Sequence, residues 1–327
     1  MKLLKRVMAG VAGSVIAGAA CCGAAMAQGF PDRPITLIVP FAAGGPTDVT
    51  ARLFSKAIAE ELGQQVIVDN RPGAGGTVGG SVAAKAKPDG YTVLWGGTST
   101  MAVAPSLFRE LPYDPLTSFE PVSRAARGPL VLTVNSSIPV NNLQELIAYA
   151  KQRPGKLNFG SAGVGSIIHL TGEMFKARAG IQMEHVPYKG NAQVMTDLTG
   201  GVLHMAFVAL GHILSHMDDE RLRPIAITSL ERNPLAPDLP TFNESGLPGF
   251  ESMEWFGLVA PAGIPGEAVK KLNQAFRTAS DRADVREGVA ALGYASVNES
   301  PDDFRRAMKT EGAKWRTVIA EAGVTLQ

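Results

Sequence analysis

The stretch Ile38-Val-Pro-Phe-Ala-Ala-Gly-Gly-Pro-Thr-Asp-Val-Thr-Ala-Arg-Leu53 leaves an apolar run, crosses paired glycines and enters a helical pattern. Gly44 and Gly45 lack side chains, so they let backbone N–H groups approach a ligand, and Thr47 or Asp48 is placed to cap the helix that follows. The unpaired N–H groups of a helix start, at the positive end of its dipole, suit a carboxylate or phosphate. Each charge-assisted hydrogen bond there contributes about 1.5 to 3 kcal/mol. A tight βα turn that holds nothing is the competing reading. The segment Asn158-Phe-Gly-Ser-Ala-Gly-Val-Gly-Ser-Ile-Ile-His169 repeats the design, with Ser161 and Ser166 adding hydroxyls. Two such helix starts facing each other across a cleft would clamp both ends of a dicarboxylate. Small-polar turns recur at Asn70-Arg-Pro-Gly-Ala-Gly-Gly76 and Gly96-Gly-Thr-Ser-Thr100.

Around these turns, short apolar runs alternate with helical patterns. The first set is Ile35 to Val39, a helix from about Asp48 to Leu62, Val66 to Asp69, a helix from about Thr77 to Ala86, and Thr92 to Trp95. The second runs through Leu130 to Val134, a helix at Leu143 to Lys151, Leu157 to Gly160, a helix at Ser166 to Ala179, and Glu184 to Pro187. A helix near Ala192 to Leu198 and strands at His204 to Ala209 and Pro224 to Thr228 extend it. Trp255 to Val259 and the charged amphipathic helices Glu267 to Ser280 and Pro301 to Glu321 close the chain. This alternation predicts an α/β protein of βαβ units with mainly parallel sheets flanked by helices. Returning Phe256-Gly-Leu-Val259 to the first lobe gives a discontinuous domain 1, residues 28–128 plus 255–327, and an inserted domain 2, residues 129–254. Ligands of open α/β sheets bind beyond the carboxyl ends of the strands, which points to the cleft between the lobes.

Composition narrows the class. Lys2, Lys5 and Arg6 precede an apolar run and Ala25-Met-Ala27, the pattern of an export signal cut after Ala27. Removing those three basic residues takes the formal charge from +1 to −2, which argues against nucleic acid as a partner. Cys21 and Cys22 both lie inside the signal, so the exported protein carries no disulfide and no cysteine metal site. Lipoprotein anchoring at Cys21 is disfavoured because Gly18-Ala-Ala20 lacks the large apolar residue such a site carries. Beyond the signal no run approaches the roughly 18 apolar residues a membrane helix needs.

Catalytic and cofactor motifs fail on the residues. Neither Gly73-Ala-Gly-Gly-Thr-Val nor Gly163-Val-Gly-Ser-Ile-Ile completes G-x-G-x-x-G, no phosphate-loop motif exists, and the G-x-S-x-G nucleophile elbow is missing. His212 and His216 have i, i+4 spacing but no third metal ligand, so they read as a solvated helix face. His169, with Glu173 one turn on, either lines or supports the second anion loop or is a hydrogen-bonded core histidine. No cofactor and no metal are expected.

The ordered motifs resemble the extracytoplasmic receptors of tripartite tricarboxylate transporters, the Bug-type solute-binding proteins. They are Pro40-Phe-Ala-Ala-Gly-Gly-Pro-Thr-Asp48 with Ala51-Arg52, Val68-Asp-Asn-Arg-Pro-Gly-Ala-Gly-Gly76, Lys87-Pro-Asp-Gly-Tyr-Thr92 and Leu111-Pro-Tyr-Asp-Pro115. They continue with Gly160-Ser-Ala-Gly-Val-Gly-Ser166 and His169-Leu170, Val186-Pro-Tyr-Lys-Gly190, Pro240-Thr241 with Glu244-Ser-Gly-Leu-Pro-Gly249, and Trp255-Phe-Gly-Leu-Val-Ala-Pro261. The resemblance implies a two-lobed, type II-like periplasmic binding protein, a monomer, that captures a small organic anion for integral-membrane transporter subunits without catalysis. The ligand class it leaves open spans di- and tricarboxylates, acidic amino acids and aromatic acids. Carried over residue by residue, the site is Phe41, Ala43, Gly44, Gly45, Thr47 and Asp48 in the first lobe, and Ser161, Ala162, Gly163, Ser166 and His169 in the second. Thr98, Ser99 and Tyr188 are further candidates, Asp48 being assigned to capping and fixing the loop, and Lys189 and Arg71 to positive potential at the cleft mouth. Val164, Asn191 and His204 depart from the family pattern, the first two where they would alter ligand choice. The competing readings are a periplasmic hydrolase or isomerase using Ser161 or Ser166 with His169, and a sensor receptor without its own transporter.

Overall fold

The computed structural model describes residues 29–322; the export signal expected at residues 1–27 lies outside them. The strands are β1 (Ile35–Val39), β2 (Val66–Asn70), β3 (Thr92–Gly97), β4 (Phe119–Asn135), β5 (Leu157–Ser161), β6 (Met183–Pro187), β7 (Met205–Ala209), β8 (Leu222–Ile227), β9 (Met253–Pro261) and β10 (Ala295–Ser296). They order as β2-β1-β3-β9-β4-β7-β5-β6, with β8 and β10 also pairing with β4. The ends of this array are parallel: β1 pairs with β2 and β3, and β5 with β6 and β7. Its centre is antiparallel, because β9 returns between β3 and β4 and because β4 runs against β7 and β8. The expected parallel character therefore holds only toward the two ends.

Strand β4 joins the two lobes. Its first part pairs with β9, and its last residues, Leu130 to Asn135, pair with β7 and β8. Sequence periodicity places only Leu130 to Val134 in a strand, since Pro121, Ser123, Arg124 and Arg127 break the apolar pattern. Bulges at Pro121/Ser123 and Arg124/Ala126 explain how that irregular segment still pairs.

The helices are α1 (Pro46–Leu62), α2 (Thr77–Ala84), α3 (Ala104–Leu107), α4 (Leu143–Lys151), α5 (Ile167–Ala179), α6 (Asn191–Thr199), α7 (Leu210–Leu214), α8 (Gly266–Asp281), α9 (Ala283–Ala291) and α10 (Pro301–Ala322). None is long and apolar enough to cross a membrane. Alternation along β1 divides its side chains between cores. Ile35, Leu37 and Val39 pack with Phe54 of α1 and Phe276 of α8, while Ile38 joins the cluster that holds Leu94, Met101 and Trp315. Phe54 stacks on Phe276 at 5.0 Å and lies 5.2 Å from Trp95. Truncating so buried a ring costs about 3 to 5 kcal/mol. In the other lobe Phe175, Phe207, Phe242 and Phe250 form a buried aromatic group behind α5. These cores hold the carboxyl ends of β1 and β5 rigidly, so the turns that follow them face one cleft.

Candidate functional site

The first turn leaves β1 at Val39 and enters α1 at Pro46, with Gly45 as N-cap and no side chain capping it. This corrects the expectation that Thr47 or Asp48 caps the helix. Proline takes the first helical position, where its missing N–H costs nothing, and moves both residues into the first turn. Asp48 instead reaches back to the loop: Oδ2 accepts from Gly44 N–H at 3.0 Å, and Oδ1 accepts from Asn70 Nδ2 at 2.9 Å. Arg52 Nε donates to the same carboxylate at 3.0 Å, and Asn70 Nδ2 also donates to the Phe41 carbonyl oxygen at 2.9 Å. Burial pushes the Asp48 pKa up, but the Arg52, Gly44 and Asn70 hydrogen bonds outweigh it and leave the carboxyl below its ordinary range. Gly44 turns at φ +86, a conformation that excludes most side chains.

The second turn leaves β5 and enters α5 behind Ser166, whose Oγ accepts from His169 N–H at 3.3 Å. Neutral groups hold it from beneath. Ser161 Oγ lies 2.6 Å from His185 Nε2 and bonds both the N–H and the carbonyl of Gly163. His169 Nδ1 accepts from Gly165 N–H at 3.2 Å, which places its proton on Nε2, and the two imidazoles stack at 4.0 Å. Burial, then the neighbouring imidazole and Lys176, pushes His169 down to about 3; burial and Lys176 push His185 down to about 4. A third helix start meets these two, since α6 begins at Asn191 behind Gly190 with no side-chain cap.

The starts of α1, α5 and α6 border one small cavity of about 10 Å³, through Gly45, Pro46 and Thr47, Ser166, Ile167 and Ile168, and Gly190 and Asn191. That space holds about one water. Phe41 and Ala162 also border a second cavity of about 400 Å³, lined by the Gly73–Gly76 turn, Gly163, Val164, Tyr188 and Lys189. The loops touch across the cleft: Ile167 N–H donates to Ser99 Oγ at 2.9 Å, and a Cβ on Gly75 would lie 2.6 Å from the Val164 carbonyl oxygen.

Phe41, Gly45, Thr47, Ser99, Ala162 and Ser166 thus border the small cavity, and Gly163 and Tyr188 the larger one. Lys189 also lines the larger cavity, whereas Arg71 pairs with Asp69 and Ala43, Gly44, Asp48, Thr98, Ser161 and His169 are not brought to either wall. Ala43 and Gly44 are exposed at the loop tip. Asp48, Ser161 and His169 are buried behind the walls, where their polar atoms hold loop backbone. Thr98 Oγ1 accepts from Trp255 N–H at 2.9 Å. Of the three departures from pattern, Val164 and Asn191 line the cavities, whereas His204 lies just ahead of β7 with its ring on Asn158. Sequence reasoning missed Glu254. It borders the small cavity, is 6% exposed, and accepts from Tyr294 O–H at 2.6 Å; burial pushes its pKa up to about 7. A single acid inside an apolar strand, Met253-Glu-Trp-Phe256, was the available signal.

Two α/β lobes sharing a long strand, with glycine turns and helix starts facing a cleft, define a periplasmic binding protein. The chain belongs to the family described as tripartite tricarboxylate transporter family receptor, whose profile matches residues 50–324. Protein BugT of Bordetella pertussis is 38% identical over 318 residues, covering 97% of this chain and 98% of BugT. The structure of Rpa4515 with adipate, from R. palustris, is 37% identical at a TM-score of 0.87, covering 90% of this chain and 99% of that one. MatC from Rhodopseudomonas palustris with bound malate is 33% identical at a TM-score of 0.85, covering 89% of this chain and 100% of that one. The protein is accordingly a solute-binding receptor of this family.

Proposed function

We propose that this receptor encloses a small organic carboxylate between its two glycine loops and presents it to integral-membrane transporter subunits, without catalysis. The observation that carries the reading is the convergence of three helix N-termini on one cavity. The helix dipoles, with those first-turn N–H groups that Ser99 and Ser166 do not already hold, favour an anion there, and closure around it excludes water and strengthens those contacts. The adipate and malate bound by two relatives are the chemistry such a cradle accepts. In this reading residues 28–128 plus 255–327 form one lobe, residues 129–254 the other, and the chain acts in the periplasm after cleavage behind Ala27. A hydrolytic reading with Ser161 or Ser166 and His169 fits the geometry less well. Ser161 pairs with His185, Ser166 caps α5, and His169 Nδ1 is occupied by Gly165 N–H.

Thermal shift of purified protein against carboxylates, phosphates, sugars and neutral amides tests the proposal. Carboxylate at 100 times its dissociation constant stabilises the fold by about 2.7 kcal/mol. Gly45→Val suits the local backbone, φ −85 and ψ 170, but fills the small cavity, so it abolishes the carboxylate shift while the unliganded midpoint stays close to wild type. Stabilisation by neutral or phosphorylated compounds alone defeats the reading.

A further inference from the structure

Glu254 is an acid where an anion is to be received. It stands on β9 opposite Gly128 of β4 and is the one charged residue among those bordering the small cavity. Tyr294 reaches its Oε2 because Gly128 leaves room: a Cβ there would lie 2.5 Å from the tyrosine ring. The other carboxylate oxygen has no protein donor among the described residues. Tyr294 is the titratable group that faces it. From β4, Arg127 is exposed and pairs in register with Trp255, and Arg124 is engaged by Glu299. No cation therefore offsets a charge on Glu254, and two carboxylates brought together in one dry site cannot both stay ionised. The same cavity wall carries a buried Asn191 Oδ1 without a partner among the described residues, a second acceptor suited to a donor group.

Resting on the carboxylate-receptor reading, we propose that Glu254 is the specificity-determining residue of the cleft: in the closed complex it is a neutral acid that donates its O–H to the ligand carboxylate. Ionised Glu254 and the ligand carboxylate then take one proton from a buffer acid into a neutral-acid complex: the Glu254 O–H bond forms, the buffer's bond to hydrogen breaks, and the conjugate base is left in solution. Burial already brings the unliganded group up to about 7. Below that pH the proton is in place before the ligand arrives. Above it, capture takes up close to one proton, and the dissociation constant weakens about tenfold per pH unit.

The experiment takes the strongest binder from malate, adipate, succinate, glutarate and benzoate. Calorimetry from pH 6 to 9, in buffers of different ionisation enthalpy, then measures affinity and proton uptake for wild type and Glu254→Gln. Wild type weakens about tenfold per unit above pH 7 with uptake rising toward one proton, and Glu254→Gln, which keeps a donor but cannot titrate, loses the trend. Side-chain ¹³C-labelled glutamate in the wild-type complex gives a variant-free reading, its Glu254 signal staying at the neutral-acid position at pH 8. A flat or tightening wild-type profile, the trend persisting in Glu254→Gln, or an ionised Glu254 signal in the complex overturns the proposal. Tightening with pH is the result a ligand ammonium at Glu254 would give. If no carboxylate binds at any pH, the carboxylate reading itself fails; binding with a flat profile defeats the Glu254 assignment alone.

Discussion

The two glycine loops do the same work with opposite electrostatics. The first is tied by an ionised network, Asp48 with Arg52 and Asn70, whereas the second rests on the uncharged stack of His169, His185 and Ser161. Both arrangements fix backbone N–H groups of their loops, Gly44 in the first and Gly163 and Gly165 in the second. They differ in what they demand of solvent. Asp48 has a lowered folded pKa, so its contribution is present above about 3.8 and lost as pH falls further. The histidines are lowered from 6.5 to about 3 and about 4, so the unfolded chain takes up protons first and the second loop loses support as pH falls from 6.5 toward 4. The teaching is that one geometry can be secured by a charge that must be kept or by a charge that must be refused.

Blocking the approach of the loops is the largest perturbation. Gly75→Ala places a Cβ against Val164 at φ +63, and should weaken carboxylate binding by about 3 kcal/mol or more, over a hundredfold by calorimetry. Gly180→Ala shares the backbone geometry, φ +62, with nothing within 4 Å, and should leave affinity unchanged. Next, the loops separate by pH. His169→Gln should remove on the order of 2 kcal/mol of the stability that wild type loses between pH 6.5 and 4, read as variant-minus-wild-type denaturation curves. A wild type no more sensitive than the variant in that window would break the contrast.

Glu254 has the reverse sign. Its folded pKa is raised from 4.5 to about 7, so its contribution is full below 4.5 and is lost as pH rises to 7. The Glu254→Gln difference curve should therefore slope oppositely to that of His169→Gln, by a comparable amount. Asp48→Asn should cost about 1.5 kcal/mol at pH 7, a deficit that shrinks as pH falls below 3.8 and wild type loses its charge too. Smallest, Ser99→Ala leaves Ile167 N–H unpaired in the closed cleft and should weaken ligand binding about fivefold, near 1 kcal/mol.

Much of the cleft was readable from local pattern. Both glycine turns, the strands before them and the start of α5 follow from residues adjacent in sequence, and α1 begins only two residues ahead of the expected Asp48. What escaped depends on remote partners or broken periodicity. The early part of β4 carries prolines and arginines over bulges, and α9, between the two expected C-terminal helices, was not expected at all. His169 looked equally like a wall residue or a core residue, and the neighbour that decides, His185, is sixteen residues away on β6. Glu254 and Tyr294 are 40 residues apart and meet only because Gly128, from a third segment, has no side chain.

The convergence of three helix starts has a consequence for descent. On the proposed function, recognition of the anionic head is written in the chain trace, which substitution of most side chains leaves intact. Phe41, Val164 and Asn191 line the space around that head, and they can vary without dismantling it. A duplicated gene could thus change diet through a few wall residues while inheriting the cradle whole, so paralogues built on this frame would diverge in nutrient far sooner than in shape.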